Sequence, residues 1–307
     1  MNKGVRNLRK GFRLLGTSAR INHENLNVHM FTEDVYQSIL PIGGKSTKHP
    51  KFKIHVHGKQ NDIEKTIRLF SIETRYHNND VTVGICDLVE SIASTLCYHG
   101  RAYYNIISEN DEYFITPFIN EKVLRITPNY FLIVGSPNKN FLKEERIHIR
   151  YRTDIWKVEI PRLGGPKGFK RTLLRVQKYD PLMSGFWMKN LTSMDKRLDI
   201  NLSEYIKKHE IYLQKVTRKW GWDKRDTTTN NKTEFYLVYQ QVAMAISRAI
   251  LREHIINELN SLVAHYNWDC KISITGIPSS IDLLSLKEKL IRGEVSFEQV
   301  FNDISLL

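Results

Sequence analysis

The sequence predicts an α+β protein, and three observations carry that assignment. Over residues 81–97, Val81, Val83, Ile85, Leu88, Val89, Ile92, Ala93, Leu96 and Cys97 recur at spacings of three and four, the period of a buried helix face, and the run stops at Gly100. Strand-like runs follow at once: Tyr103, Tyr104, Ile106 and Ile107, then 113–118, 123–126 and 130–134, parted by Ser-Glu-Asn-Asp, Asn-Glu and Pro-Asn turns. Finally, Phe235, Val238, Val242, Ala245, Ala249, Ile256, Leu259 and Val263 make a 3-4-3-4 seam over 233–265, interrupted at Arg252. A helix of about 30 residues at 1.5 Å each is roughly 45 Å long, suited to packing along its whole length.

The remaining elements fall in order around these. Residues 41–50, from Pro-Ile-Gly-Gly to His-Pro, read as a breaker-rich hinge, and 51–57 alternate as a short strand. Ile63, Ile67 and Phe70 predict a helix over 62–76, after which Asp80 is a plausible N-cap for the helix at 81. Ile147 and Ile149 between polar residues predict a strand over 146–151, and the Pro- and Gly-rich stretch 161–170 reads as the clearest loop in the chain. Leu202, Tyr205, Ile206, Ile211, Leu213 and Val216 predict a lysine-rich helix over 202–220, broken by the Thr- and Asn-rich stretch 223–231. A strand at 271–275, a Gly-Ile-Pro turn and short helices over 285–291 and 296–304 complete the chain, with no internal repeat.

At 307 residues and 36.0 kDa, with 41% hydrophobic residues, the chain is long enough to bury a substantial core. No apolar run reaches the roughly 18 residues that cross a bilayer, and the N-terminus lacks a signal-peptide core, so a soluble, non-secreted protein is expected. Cys86, Cys97 and Cys270 have no metal-ligand spacing, and no cofactor is expected. The net charge of +13 favours a polyanionic partner, nucleic acid before a membrane surface. Residues 1–23 hold no acid but carry Lys3, Arg6, Arg9, Lys10, Arg13 and Arg20, a basic arm with Leu8, Phe12 and Leu15 at helical spacing.

Few residues point to chemistry. His55 and His57 share one strand face in the pattern of the His-hydrophobic-His metal site of rolling-circle nucleases, which use a helical tyrosine; Tyr205 or Tyr212 would serve. A solvated edge face explains the same pair. The glycines around Lys167 lack the Gly-Lys-Ser/Thr ending of a phosphate loop, so Lys167, Lys170 and Arg171 read as cations of a mobile basic loop that contacts nucleic acid or a partner. Glu144 and Glu145 have no second carboxylate cluster and read as loop charges. Lys215, Arg218, Lys219, Trp220, Trp222, Lys224 and Arg225 interleave cations with indoles at the break between two helices. Such a cluster grips phosphates and bases or anchors a protein interface, and a projecting interface tip is the expected role. No nucleophile with a paired base is evident, and a non-enzymatic protein is expected.

The helix-to-strand junction reads Leu96-Cys-Tyr-His-Gly-Arg-Ala-Tyr-Tyr-Asn-Ile106, a later strand reads Glu145-Arg-Ile-His-Ile-Arg150, and the long helix ends in Leu259-Asn-Ser-Leu262. Gly276-Ile-Pro-Ser and Leu290-Ile-Arg-Gly-Glu-Val-Ser-Phe297 close the chain. This order resembles the portal proteins of tailed bacteriophages, in which a helix leads through a Gly-x-Ala-Tyr turn into paired strands. The resemblance implies a homo-oligomeric ring, usually of twelve subunits, at a capsid vertex, passing double-stranded DNA and meeting capsid, terminase and head-completion or tail proteins. It also implies an organisation: a basic arm (1–23), an α/β wing (24–200), a stem and clip (201–265) and a crown-like segment (266–307), with the tip at 220–225 as clip. The long seam would then pack on copies of itself. Two alternatives remain open, a His-hydrophobic-His single-strand nuclease and a sequence-tolerant nucleic-acid-binding protein.

Overall fold

A computed structural model describes residues 21–37, 39–40, 52–70, 81–109, 112–118, 122–125, 127–134, 147–161, 165–178, 202–222 and 233–304. In chain order these form α1 (Leu26–Tyr36), β1 (Lys53–Gly58), α2 (Gln60–Phe70), α3 (Val81–His99), β2 (Arg101–Glu109), β3 (Glu112–Pro117), β4 (Lys122–Arg125), β5 (Tyr130–Val134), β6 (Ile147–Tyr151), β7 (Ile155–Glu159), α4 (Gly165–Gln177), α5 (Leu202–Thr217), α6 (Glu234–His265), β8 (Cys270–Thr275), α7 (Ser280–Arg292) and α8 (Phe297–Ile304). The architecture is mixed α+β, with three small antiparallel sheets ordered β1-β8, β3-β2-β7 and β4-β5-β6.

Helix α6 is the spine. Thr233 caps it by accepting a hydrogen bond from the Tyr236 N–H, and its 32 residues span about 48 Å. Its first half buries Val238, Val242, Ala245, Ile246 and Ala249 against Leu283, Leu286 and Leu290 of α7 and Val300 of α8. Its second half buries Leu251, Ile255, Leu259 and Val263 in the main core, with Val28, Phe31, Leu88, Ile92 and Ile272. The seam expected to pack on copies of itself is therefore filled from within the chain; only Phe235, at the start, stands exposed. Arg252, where the seam breaks, is 2% exposed and donates to the carbonyls of Ile39 (3.3 Å) and Pro278 (2.7 Å). Burial holds its pKa down to about 10, with Glu253 pulling the other way, so it stays charged at neutral pH and ties α6 to the segments before β1 and α7.

Helix α3 ends where the spacing predicts, at Gly100 with φ +73°, and β2 leaves directly from it. Tyr104 lies opposite Pro117 of β3 and Trp156 of β7 and packs on that indole in a tilted contact, ring centroids 5.1 Å apart. The β1-β8 ribbon turns Ile54 and Ile272 into the core. Asn260 of α6 closes the outer edge of β8 as a strand would: its side-chain N–H donates to the Ile272 carbonyl (2.9 Å) and its side-chain oxygen accepts from the Ile272 N–H (2.7 Å).

Three features differ from the sequence reading. Residues 165–177 are helix, not loop: a proline in the first turn breaks no helical hydrogen bond, and Phe169, Leu173 and Val176 at four- and three-residue spacing give α4 a buried face. Helix α1, capped by Asn25 and burying Val28, Phe31 and Val35, and strand β7 were not foreseen. The main core runs across the boundary at 200/201, because Leu213, Trp220 and Trp222 share it with Phe31 and Phe169.

Candidate polyanion-binding surface

The charged stretch of α4 contains cations alone. Between residues 161 and 178 the sequence holds no Asp or Glu, and helix formation places Lys167, Arg171, Arg175 and Lys178 on the exposed side of α4, with Lys170 half-buried. Like charges three and four residues apart repel, each pair costing an isolated helix about 0.2–0.5 kcal/mol. Burial of Phe169, Leu173 and Val176, worth about 1.5–3 kcal/mol for each large apolar side chain, holds the helix regardless. Among the described residues no ion pair engages Lys167, Arg171, Arg175 or Lys178.

Helix α4 packs on α5, whose end tightens into a 3-10 turn at Arg218–Trp220. Phe169 and Trp220 meet edge to face at 5.4 Å, and Phe31 closes the cluster at 5.8 Å from Trp220 and 5.4 Å from Trp222. Trp220 and Trp222 are 1% and 2% exposed. The Trp222 Nε1–H donates to the Asp34 carboxylate at 2.7 Å, and the Asp34 carbonyl accepts two hydrogen bonds from the Arg248 guanidinium (2.6 and 3.1 Å), whose pKa burial lowers. Gly221, at φ +76°, turns the backbone against α6, where the Ser247 hydroxyl reaches the Trp220 carbonyl at 3.2 Å. The indoles expected at a projecting tip are thus core residues. Aromatic neighbours on α1 and α4, far away in sequence, supply an apolar pocket that the local run of cations does not reveal.

Lys215, Arg218 and Lys219 remain exposed around that turn. The Phe169–Trp220 contact therefore joins two groups that the sequence kept separate, Lys167, Lys170 and Arg171 with Lys215, Arg218 and Lys219, on adjoining elements. Arg175 and Lys178 were missed; the spacing 167, 171, 175 marks them once the segment is read as helix. A surface of this kind attracts a polyanion, with an affinity that falls as salt rises. Lys3, Arg6, Arg9, Lys10, Arg13, Lys224 and Arg225 lie outside the described residues, as do Asp80, Glu144 and Glu145.

His55 and His57 do share a face of β1, their rings parallel within 15° at 5.4 Å, and His55 Nε2 lies 3.0 Å from the Thr275 hydroxyl. Among the described residues no group of three His, Cys, Asp or Glu could hold a metal ion. Tyr212 is on α5, which packs on α4, whereas β1 packs on α2, α3 and β8; the Tyr205 side chain lies outside the described residues. No described helix is long and apolar enough to cross a membrane. Burial raises the thiol pKa of Cys97, and of Cys270 to a lesser depth, so both favour the protonated form.

A concavity of about 610 Å³ lies between the sheets and the end of α6, lined among others by Tyr130, Tyr151, Trp156, Glu258, Leu262 and His265. The protein-family models searched give no match to this chain, and the curated proteins compared with it give no significant one.

Proposed function

We propose that this chain is a structural, portal-type subunit that closes into a ring with copies of itself, a conduit for double-stranded DNA at a capsid vertex. One observation carries the reading beyond the sequence resemblance: α6 has unlike apolar surfaces at its two ends. Beside its start, Phe235 and Ile291 of α7 are exposed, and α7 carries that outward face through Leu284 to Ile281 (76% exposed), beside the middle of α6 where the Ser280 N–H donates to Glu253. Beside its end lies the Tyr130–Tyr151 cleft, with Ile149 of the same sheet 65% exposed. Exposed apolar surfaces of this kind mark interaction sites. Two different surfaces on one subunit favour head-to-tail contact, and head-to-tail contact forms a ring where its rotation closes.

In this reading α1–α4 and the sheets take the wing role, α5 and α6 the stem role, and α7 and α8 the crown role. The cationic surface of α4 and α5 meets DNA or the shell, and capsid, terminase and head-completion or tail proteins are the partners. The helix–Gly100–strand junction is scaffold in it, with Ala102 and Tyr104 in the core. Particle mass in solution, followed by imaging of negatively stained particles, tests the proposal: rings support it, and a monomer at high concentration sinks it. The uncompensated stripe on α4 favours a second reading, a nucleic-acid-binding protein with no ring. A monomer whose DNA affinity falls steeply with salt would establish that one instead.

A further inference from the structure

The exposed face of the β1-β8 ribbon is a second cationic surface, distinct from α4. Antiparallel register sets Lys53 opposite Thr275, His55 opposite Ser273 and His57 opposite Lys271. Strand alternation sends Ile54 and Ile272 to the core, with Val56 and Ile274 packed against it, and leaves these six side chains on the other side. The face holds two lysines, two imidazoles and two hydroxyls, and no carboxylate. Among the described residues nothing pairs with Lys53 or Lys271; the one ion pair at the ribbon end, Lys59 with Asp269, lies beyond the strands.

We propose that this face docks on duplex DNA, with Lys53 and Lys271 on backbone phosphates and the parallel imidazoles between them as hydrogen-bonding groups. The argument is charge complementarity and shape. A six-residue ribbon is about 20 Å long, a two-stranded ribbon fits the roughly 12 Å major groove of B-form DNA, and a cationic face without acids matches its phosphates. A-form RNA, whose major groove is deep and narrow, does not admit it. Hydroxyls and histidines interleaved with lysines are the donors that reach phosphate oxygens. The proposal does not rest on the ring: a single subunit presents the whole face.

The test uses the full chain and a labelled duplex of about 25 base pairs, with anisotropy followed between about 50 and 200 mM salt. The double variant Lys53→Gln/Lys271→Gln is expected to lower the slope of log affinity against log salt by about 1.8, two phosphate contacts at about 0.9 each. Its thermal melt should match the parent, since both side chains are exposed. His55→Ala/His57→Ala should weaken binding with a smaller change in slope. An unchanged slope in the lysine variant overturns the proposal, as does a parent with no salt-dependent duplex binding. Loss of binding to anionic phospholipid vesicles with DNA binding intact overturns it in favour of a membrane. Particle mass is measured on the same samples. A monomer that loses slope keeps the ribbon and removes the ring, whereas a ring with unchanged slope does the reverse.

Discussion

Gly221→Ala is the sharpest structural test, because two separate penalties meet there and one of them can be measured alone elsewhere. The residue sits at φ +76°, where an L side chain costs about 1–2 kcal/mol. A Cβ there would also lie 2.3 Å from Met244 N, 2.4 Å from the Gln240 carbonyl oxygen and 2.7 Å from Ala243 C. All three are backbone atoms of α6 and cannot rotate aside. The turn must therefore retreat and loosen Trp220 and Trp222, an overpacking cost of about 1–3 kcal/mol. Together the two give about 2–5 kcal/mol. Gly293 is the control: its φ of +72° is nearly the same, but nothing lies within 4 Å of an added Cβ, so Gly293→Ala should cost only about 1–2 kcal/mol. Urea unfolding, read from the midpoint at constant slope, separates the two. Equal losses in both variants would refute the close packing of the Trp220–Trp222 turn on α6.

Three further outcomes follow from the same packing. Arg252→Leu removes the donor to the buried Ile39 carbonyl and to Pro278, and unfolding should show a loss of about 2–4 kcal/mol, the orphaned carbonyls outweighing relief of a buried charge. Asn260→Leu leaves the Ile272 N–H and carbonyl unpaired at 1% exposure and should cost about 2–4 kcal/mol, with β8 amides losing hydrogen-exchange protection first; unchanged protection contradicts the edge-closing role. Ser279→Ala removes the α7 capping box and should cost about 1 kcal/mol at pH 7. The Ser279 hydrogen bonds depress the Asp282 pKa, so the carboxylate's part of the box is full above the ordinary Asp range and is lost as pH falls through the depressed value. The gap between parent and variant should therefore narrow in acid to what the Asp282 N–H to Ser279 hydroxyl bond alone contributes, and a gap independent of pH would contradict the assignment.

Elements whose signal is local were legible in the sequence. The bounds of α6 follow from a 3-4-3-4 period interrupted at Arg252, and α3 stops at the one residue that takes a left-handed backbone without penalty, Gly100. The strands at 113–117 and 130–134 are aromatic and aliphatic runs bounded by turn residues. What failed depends on distant partners. The pair Gly165-Pro166 resembles a loop until Phe169, Leu173 and Val176 are counted as a face, and that face has meaning only because Phe31 and Trp220 meet it. The two indoles sit among cations in sequence yet face a pocket built by the distant Phe31 and Phe169, down to the Asp34 carboxylate that accepts the Trp222 N–H hydrogen bond. The basic surface is half visible: Lys167, Lys170, Arg171, Lys215, Arg218 and Lys219 stand out in the sequence, but Arg175, Lys178 and the union across α4 and α5 need the helix and the tertiary contact. The α6 seam was correct as a pattern and misassigned as an interface, since α7 and α8 cover its first half.

The central claim is that this chain works as one subunit of a closed ring, and particle mass by size exclusion with light scattering tests it most directly. The account predicts a discrete species at a high multiple of the 36.0 kDa chain, held at dilution and broken by Ile281→Asp or Ile149→Asp. A species of 36.0 kDa that stays monomeric at high concentration would contradict it.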